Sequence, residues 1–175
     1  MKVLVVVDMQ NDFIDGALGT NEAQAIVDNV KAKIDEYANV HGQVIFTRDT
    51  HGSNYMETQE GTKLPVPHCI EGTEGWEIRE ELRVENCVII DKPTFGSYEL
   101  IDTLREIDEE TPIESIELVG LCTDICVISN AMMVKAAFLE IPVKVDSTCC
   151  AGVSPQSHDN ALNAMEMCQI EVTGR

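Results

Sequence analysis

The amino-acid sequence predicts an α/β fold: a three-layer α/β/α sandwich around a mostly parallel, doubly wound sheet of about six strands. Two observations lead to this prediction. Short runs of β-branched and aliphatic residues alternate along the chain with longer segments whose apolar residues recur at helical spacing. The short runs have no polar alternation, which is typical of strands that helices cover on both faces. The length of 175 residues favours a single domain spanning residues 1–175.

The first half of the chain contains three predicted strands and two predicted helices. The strands are expected at 3–7, 44–47 and 87–90, where β-branched and other apolar residues dominate. The helices are expected at 22–37 and 74–83. After the second strand comes a segment of about twenty residues rich in Gly, Pro and Thr, a length that in a compact domain is typical of a functional loop.

The second half continues the alternation of strands and helices. Helices are expected at 98–107, 123–139 and 155–167, and strands at 116–119, 143–145 and 169–172. Right-handed crossovers between such strands give a parallel sheet, and ligands bind these sheets beyond the carboxyl ends of the strands. The residues that follow each predicted strand are therefore the candidates for a functional site.

The net charge and the cysteine content indicate which classes of partner the protein can bind and in which cellular compartment it is expected. Twelve Lys and Arg residues against 31 Asp and Glu give a formal charge of -19, so we expect neither a nucleic-acid partner nor a membrane partner. No apolar run approaches the roughly 20 residues of a membrane span, and no signal peptide pattern is present, so we expect a cytoplasmic protein. The seven cysteines, an odd number without an export signal, favour buried thiols and one reactive thiol over a disulfide framework.

Three residues near predicted strand ends suit nucleophilic catalysis: Cys126, Lys92 and Asp8. Cys126 lies in the first turn of the helix expected at 123–139, where free N–H groups and the helix dipole favour a thiolate. Lys92 follows the third strand, and its charge would lower the pKa of the thiol further. Asp8 follows the first strand and is suited to proton transfer. The alternatives are a buried, unreactive cysteine and a structural ion pair, but the shared sheet edge favours a catalytic trio.

A second candidate group, Asp49, His51 and His68, suits a divalent metal ion. One carboxylate and two imidazoles are donors for zinc, manganese or iron. Asp49 and His51 are two positions apart just after the second strand, so their side chains point the same way if the segment is extended. Three protein ligands leave coordination positions for water or substrate. The alternative is that the spacing of Asp49 and His51 arises by chance and that His68 only caps a turn.

Five motifs, in this order, resemble those of the isochorismatase-like cysteine hydrolases and, within that family, the nicotinamidase branch. They are VVDMQNDF at 6–13, TRDTH at 47–51, PHCIEGT at 67–73, Lys92, and GLCTDICV at 120–127. Because the motifs keep the family's order over most of the chain, chance is a poor explanation.

The resemblance implies a catalytic triad of Asp8, Lys92 and Cys126, with an oxyanion hole formed by the backbone N–H groups of Cys122 and Cys126. It also implies a cis peptide bond between Leu121 and Cys122. The expected reaction is hydrolysis of a small, nicotinamide-like carboxamide to an acid and ammonia through a thioester intermediate.

The same resemblance assigns Asp49, His51 and His68 to a metal site, together with a loop glutamate. Glu60 is the first choice for that place and Glu57 the second. Zinc is the first expectation for the ion, ahead of manganese and iron. The family further implies a small-molecule amide substrate and a homo-oligomer, either a dimer or a tetramer.

The expected substrate pocket departs from the nicotinamidase pattern at two positions. Leu64 and Thr50 stand where those enzymes commonly carry aromatic residues. Phe13 is one expected wall of the pocket, and Phe95 and Tyr98 are the candidates for another. The choice among small carboxamides therefore stays open.

Two alternative functions use overlapping residues. An N-carbamoyl or ureido amidohydrolase would use the same triad on a related C–N bond. A receiver-like signalling domain would accept a phosphoryl group on an acid near Mg²⁺, but it leaves Cys126 and the long loop without a role. Isochorismate hydrolysis is disfavoured because it does not need the cysteine. Rapid inactivation by iodoacetamide would favour the hydrolases, and labelling of an aspartate by acetyl phosphate would favour the receiver.

Overall fold

A computed structural model of the protein describes residues 1–175. Six strands form a sheet in which every neighbouring pair is parallel. The strands are β1 (Lys2–Val7), β2 (Gln43–Asp49), β3 (Val88–Lys92), β4 (Ser115–Leu121), β5 (Val143–Ala151) and β6 (Glu171–Thr173). Their order across the sheet is β3-β2-β1-β4-β5-β6. The chain winds outward in both directions from the central pair β1 and β4, and the predicted fold class is confirmed.

Helices connect the strands. They are α1 (Asn11–Ile14), α2 (Asn21–Ala25), α3 (Val27–Asn39), α4 (Gln59–Lys63), α5 (Tyr98–Glu110), α6 (Ile128–Ala137) and α7 (Pro155–Met167). Single turns of 3₁₀-helix cover Tyr55–Glu57 and Glu80–Leu82, and a π-helical turn covers Thr123–Val127. No helix combines the length and the apolar character needed to cross a bilayer.

Helices pack on both faces of the sheet, which explains the unbroken apolar sequence of β1. Val3, Val5 and Val7 belong to a core of 22 buried residues on one face, and Leu4 and Val6 belong to a core of 17 on the other. The first core includes side chains of α5, α6 and α7, and the second includes side chains of α3. Successive side chains of a strand point to opposite faces, so a strand buried on both sides needs apolar residues at every position.

The prediction of a helix at 74–83 is wrong, because contacts with a distant segment override its local propensity. Only Glu80–Leu82 forms a helical turn. The preceding residues bond to the segment after β1 instead: the N–H of Asn11 donates to the carbonyl oxygen of Glu77 at 3.0 Å. Backbone groups committed to such bonds are no longer available to a helix.

The other predicted elements are present, and all but the helix at 155–167 have shifted ends. The helix expected at 22–37 is divided into α2 and α3, with Ile26 between them. The helix expected at 123–139 begins with the π-helical turn and continues as α6. The strand expected at 143–145 continues to Ala151, because it pairs with β4 as far as that strand's end.

Candidate active site

The carboxyl ends of four strands deliver the predicted catalytic and metal-binding residues to one edge of the sheet. Asp8 follows β1, Asp49 ends β2 and Lys92 ends β3. Cys126 lies in the π-helical turn after β4. Since β1 and β4 are neighbours at the centre of the sheet, this edge contains the switch point at which doubly wound sheets bind ligands.

Asp8, Lys92 and Cys126 form a buried contact group. Lys92 Nζ lies 2.6 Å from Asp8 Oδ2 and 3.4 Å from Cys126 Sγ. The Thr47 hydroxyl donates to Asp8 Oδ1 at 2.7 Å, and Lys92 Nζ also donates to the carbonyl oxygen of Thr94 at 3.1 Å. No member of the trio is more than 4% exposed. The structure thus brings together the three residues that sequence reasoning placed in one trio.

The protonation of this trio differs from the expectation that Lys92 makes Cys126 a resting thiolate. Burial raises the pKa of the Cys126 thiol well above its ordinary value, and the Asp8 carboxylate adds to this against the opposing effect of Lys92. Burial also raises the pKa of Asp8, although Lys92 opposes it. Burial would lower the pKa of Lys92, but its negative neighbours, Asp8 first, raise it. These directions favour a neutral thiol beside a charged lysine, and they place a side chain with raised basicity, Asp8, in position to take the thiol proton.

The segment around Cys126 contains the two residues, Cys122 and Cys126, whose backbone N–H groups are predicted to form the oxyanion hole. The peptide bond between Leu121 and Cys122 is cis, as the resemblance implies. Cys122 immediately precedes the π-helical turn and Cys126 lies within it. The hydroxyl oxygen of Thr123 lies 2.7 Å from Nδ1 of His158 on α7, which fastens the start of the turn to a neighbouring helix. Sequence reasoning gave His158 no role.

Asn130 is a positioning residue that sequence reasoning missed. Its amide nitrogen donates to the carbonyl oxygens of Cys126 at 2.8 Å and Phe95 at 3.0 Å, and its Oδ1 accepts the N–H of Ser97 at 3.0 Å. It thereby joins the turn that carries the thiol to the loop that follows Lys92. A fully buried amide must find its hydrogen-bond partners inside the protein. The available sequence signal is an Asn within an otherwise apolar helical segment.

Asp49, His51, Glu60 and His68 converge on one point. One ligand atom from each lies within 4.8 Å of the others. Asp49 Oδ2 lies 3.0 Å from His51 Nε2 and 3.6 Å from His68 Nε2. Glu60 Oε1 lies 3.6 Å from His51 Nε2. The structure therefore places Glu60, the first choice for the loop glutamate, in the metal group and leaves Glu57 exposed.

The chemistry of this metal group fits a divalent ion. Nδ1 of His68 lies 2.8 Å from the carbonyl oxygen of Val66, which can only accept, so Nδ1 carries the proton and Nε2 presents its lone pair. Burial would raise the pKa of Asp49, but the neighbouring imidazoles of His51 and His68 and the charge of Lys92 lower it, so the carboxylate is ionised. Two imidazoles and two carboxylates are ligands of borderline divalent metals, and these four residues would hold such an ion.

Gln10 positions the metal-binding end of β2, and this role was not predicted. Its Oε1 accepts the N–H of Asp49 at 2.7 Å, and its Nε2 donates to the carbonyl oxygens of Asp49 and Trp76 at 2.8 Å each. The side chain is fully buried. It gives the backbone of Asp49 the pair of hydrogen bonds that a neighbouring strand would give. Gln10 lies in the motif at 6–13, but the motif alone does not reveal these distant partners.

A cavity of about 260 Å³ connects the thiol to the metal group, since it is lined by Cys122, Cys126, Asp49, Glu60 and His68. Its other walls are Phe13, Leu18, Thr20, Ala23, Leu64, Phe95, Leu121, Ile125, Gly152 and Val153. Two of the three residues expected to form pocket walls, Phe13 and Phe95, are therefore in the lining.

The third expected wall, Tyr98, lies outside the cavity, and that prediction is wrong. Tyr98 is 84% exposed at the first position of α5. Leu100, Ile101 and Leu104 form the buried face of this helix, and the helical repeat places Tyr98 to the side of that face.

Comparisons with known proteins agree with this geometry. The model of the family described as "Isochorismatase domain" matches residues 2–175. The nicotinamidase/pyrazinamidase of Mycobacterium tuberculosis is 29% identical over 188 residues, which cover 98% of each chain. The solved pyrazinamidase of Pyrococcus horikoshii in complex with zinc has a TM-score of 0.84 and 26% identity, covering 99% of each chain. The pyrazinamidase/nicotinamidase of Streptococcus mutans has a TM-score of 0.85 and 26% identity, covering 99% of this chain and 100% of the other. The chain belongs to the isochorismatase domain family.

Proposed function

We propose that this protein hydrolyses a small, neutral, nicotinamide-like carboxamide to a carboxylic acid and ammonia through a thioester on Cys126. The observation that carries the proposal is the position of Lys92 Nζ, 2.6 Å from the Asp8 carboxylate and 3.4 Å from the Cys126 sulfur. A nucleophile, a base and a fixed positive charge are thereby in contact beside one cavity. The similar proteins named nicotinamidase and pyrazinamidase indicate a hydrolase that acts on a C–N amide bond.

In the first half-reaction, Asp8 takes the proton of the Cys126 thiol while the sulfur attacks the carboxamide carbon. The carbonyl oxygen becomes an oxyanion, to which the N–H groups of Cys122 and Cys126 donate. The C–N bond then breaks, Asp8 gives the proton to the departing nitrogen, and ammonia leaves. A thioester remains on Cys126. Lys92 stays charged, because its pKa is raised, and it stabilises the sulfur when the thiol proton leaves.

In the second half-reaction, Asp8 takes a proton from water, and the water oxygen attacks the thioester carbon. The C–S bond breaks, the acid departs, and the Cys126 sulfur recovers a proton from Asp8. One amide and one water thus give one acid and one ammonia. Burial raises the pKa of Asp8, and a carboxylate with a raised pKa is a stronger base for both proton transfers.

We propose zinc as the metal ion of this site. The metal group, Asp49, His51, Glu60 and His68, would hold it, and the similar pyrazinamidase of Pyrococcus horikoshii was solved in complex with zinc. When bound, the ion supplies a Lewis-acidic position for a ring nitrogen of the substrate. Lys92 Nζ lies 3.4 Å from Asp49 Oδ1, so the metal group and the catalytic trio are in direct contact.

The walls of the cavity favour a neutral substrate over an N-carbamoyl amino acid. No Lys or Arg is among the lining residues, while Asp49 and Glu60 are. A substrate carboxylate would find no cationic side chain there, and the two acids already balance the charge of a divalent ion. The formal charge of -19 on the chain adds to the repulsion. The cavity beside the trio therefore suits an uncharged carboxamide better than a substrate that carries a carboxylate.

The proposal is tested by measuring ammonia release by the purified protein supplied with zinc. We expect turnover of nicotinamide and pyrazinamide, and a kcat/KM at least about tenfold lower for N-carbamoylsarcosine, because its carboxylate lacks a partner. No ammonia from any carboxamide would contradict the proposal. A preference for the N-carbamoyl compound would favour the ureido alternative instead.

Replacing Glu60 with glutamine is expected to lower the affinity for zinc about tenfold or more, because a charged ligand becomes a neutral one. Glu57→Gln is the matched control, since it removes the same charge from an exposed position of the same loop. The measurement is competition against a chelator, with retained zinc read by elemental mass spectrometry. Equal zinc affinities for the two variants would remove Glu60 from the ligand set.

A further inference from the structure

The cavity contains one polar side chain that neither the catalytic trio nor the metal group uses. Apart from the acids, the histidine and the two thiols, Thr20 is the only lining residue whose side chain can form a hydrogen bond. It is half-buried and lies between α1 and α2. A hydroxyl group in an apolar wall is unfavourable unless its hydrogen bonds are made. The hydrogen-bond partners of the Thr20 hydroxyl therefore indicate which ligands the cavity can bind.

Thr20 uses only part of its hydrogen-bonding capacity within the protein. It caps α2, where its Oγ1 accepts the N–H of Ala23 at 3.0 Å, and its proton has no acceptor in the protein. Thr58, which caps α4, differs: its Oγ1 accepts the N–H of Gly61 at 3.0 Å and donates to the carbonyl oxygen of Tyr55 at 2.7 Å. A threonine hydroxyl can both accept and donate. The proton of Thr20 is therefore free to donate into the cavity.

Thr20 lies on the opposite side of the reacting thiol from the metal group. Asp49 of the metal group ends β2. The helix that Thr20 caps lies beside the end of β5, because Ala25 of α2 and Gly152 after β5 line a common groove. Across the sheet the strands run β2-β1-β4-β5, and Cys126 follows β4. A substrate whose amide is at Cys126 therefore reaches the metal group on one side and Thr20 on the other.

We propose that Thr20 is a specificity-determining residue, which donates its hydroxyl proton to an acceptor on the substrate edge that faces away from the metal group. The inference rests on the proposed function and names its substrate class: neutral carboxamides with a second acceptor, a hydroxyl or carbonyl oxygen or a further ring nitrogen, on that edge. A substrate with an apolar edge leaves the Thr20 proton without a partner, which lowers its affinity.

Two derivatives of nicotinamide isolate this contact. The ring nitrogen and the 5-position are both meta to the carbon that bears the carboxamide, one on each side of it. A ring nitrogen that points at the metal group therefore makes the 5-position point toward the opposite wall. 5-Hydroxynicotinamide and 5-methylnicotinamide have nearly the same size, but only the first accepts a hydrogen bond at this position.

The experiment measures the dissociation constants of both compounds by calorimetry, with zinc present, in the Cys126→Ala protein, which does not turn them over. We expect the hydroxy compound to bind about tenfold more tightly than the methyl compound. Thr20→Val in the same background should remove this preference, and Thr20→Ser should keep it. Loss of the cap of α2 in Thr20→Val affects both ligands equally, so the ratio of the two constants reports the contact alone.

An unchanged ratio in Thr20→Val would overturn the inference, as would equal binding of the two compounds, or binding of neither, before Thr20 is changed. Ammonia release from nicotinamide is measured in parallel with Cys126 intact. Its absence, together with a binding ratio that depends on Thr20, would overturn the proposed function and leave the binding role of Thr20 standing.

Discussion

Replacing Cys126 with alanine is expected to lower kcat/KM for nicotinamide by a factor on the order of 10⁴ while the protein stays folded. The variant removes the one sulfur that lies 3.4 Å from Lys92 Nζ. It leaves the backbone N–H groups of the turn and the whole metal group in place, so binding and orientation of the substrate persist without a nucleophile. Ammonia release under saturating and limiting substrate gives kcat and kcat/KM, and circular dichroism checks the fold.

Cys149→Ala is the matched control for this experiment. Cys149 is 2% exposed, so its truncation opens a similar small cavity in the core, but its side chain belongs to the core on the other side of the sheet. We expect its kcat/KM to stay within about threefold of that of the unmodified protein, because a small core cavity lowers stability but removes no reacting group. A Cys126→Ala protein that keeps the activity of this control would contradict the assignment of the nucleophile.

Replacing Lys92 with methionine is expected to lower the free energy of unfolding by about 3–5 kcal/mol and to abolish turnover. Lys92 is 1% exposed, and its Nζ contacts Asp8 at 2.6 Å and Asp49 at 3.4 Å. Methionine fills a similar volume without a charge, so it leaves the Asp8 carboxylate buried and without its counter-charge. Urea denaturation in the presence of a chelator measures the effect on the protein alone.

Two further variants show whether the loss comes from the buried charge. Lys144→Met removes a partly exposed lysine that pairs with Glu171 at 3.2 Å, and we expect a change below about 1 kcal/mol. Adding Asp8→Asn to Lys92→Met neutralises the unpaired carboxylate, and we expect it to restore part of the lost stability. Equal losses for the two lysines, or no recovery in the double variant, would show that Lys92 and Asp8 are not coupled in this way.

Local sequence signals predicted those elements whose defining contacts are local. The helix expected at 155–167 has the same bounds as α7, because Ser154 caps it and Pro155 starts it. The apolar run at 3–7 predicted β1 correctly, because an unbroken apolar run is itself the pattern of a strand that is buried on both faces. The helix expected at 74–83 failed because the backbone partners of that segment lie much earlier in the chain, after β1.

In the candidate site, too, the sequence predicted the features that depend on local position and missed those that depend on distant contacts. Asp8, Lys92 and Cys126 each come at or just after a strand, so the geometry of a parallel sheet was enough to predict their meeting. The sequence predicted that Lys92 lowers the pKa of Cys126, but it could not predict the larger raising effects, which come from how deeply the packed cores bury the thiol and from the nearby Asp8 carboxylate. The roles of Gln10 and Thr20 depend on hydrogen-bond partners that only the folded chain supplies.

The central claim is that Cys126 carries the acyl group during turnover, and the most direct test is the mass of the protein quenched in acid during the first turnovers of nicotinamide. We predict that the protein gains the mass of one nicotinoyl group and that peptide mapping places this group on Cys126 and not on Cys122. A protein that releases ammonia from nicotinamide with no acyl group on Cys126 would contradict the mechanism.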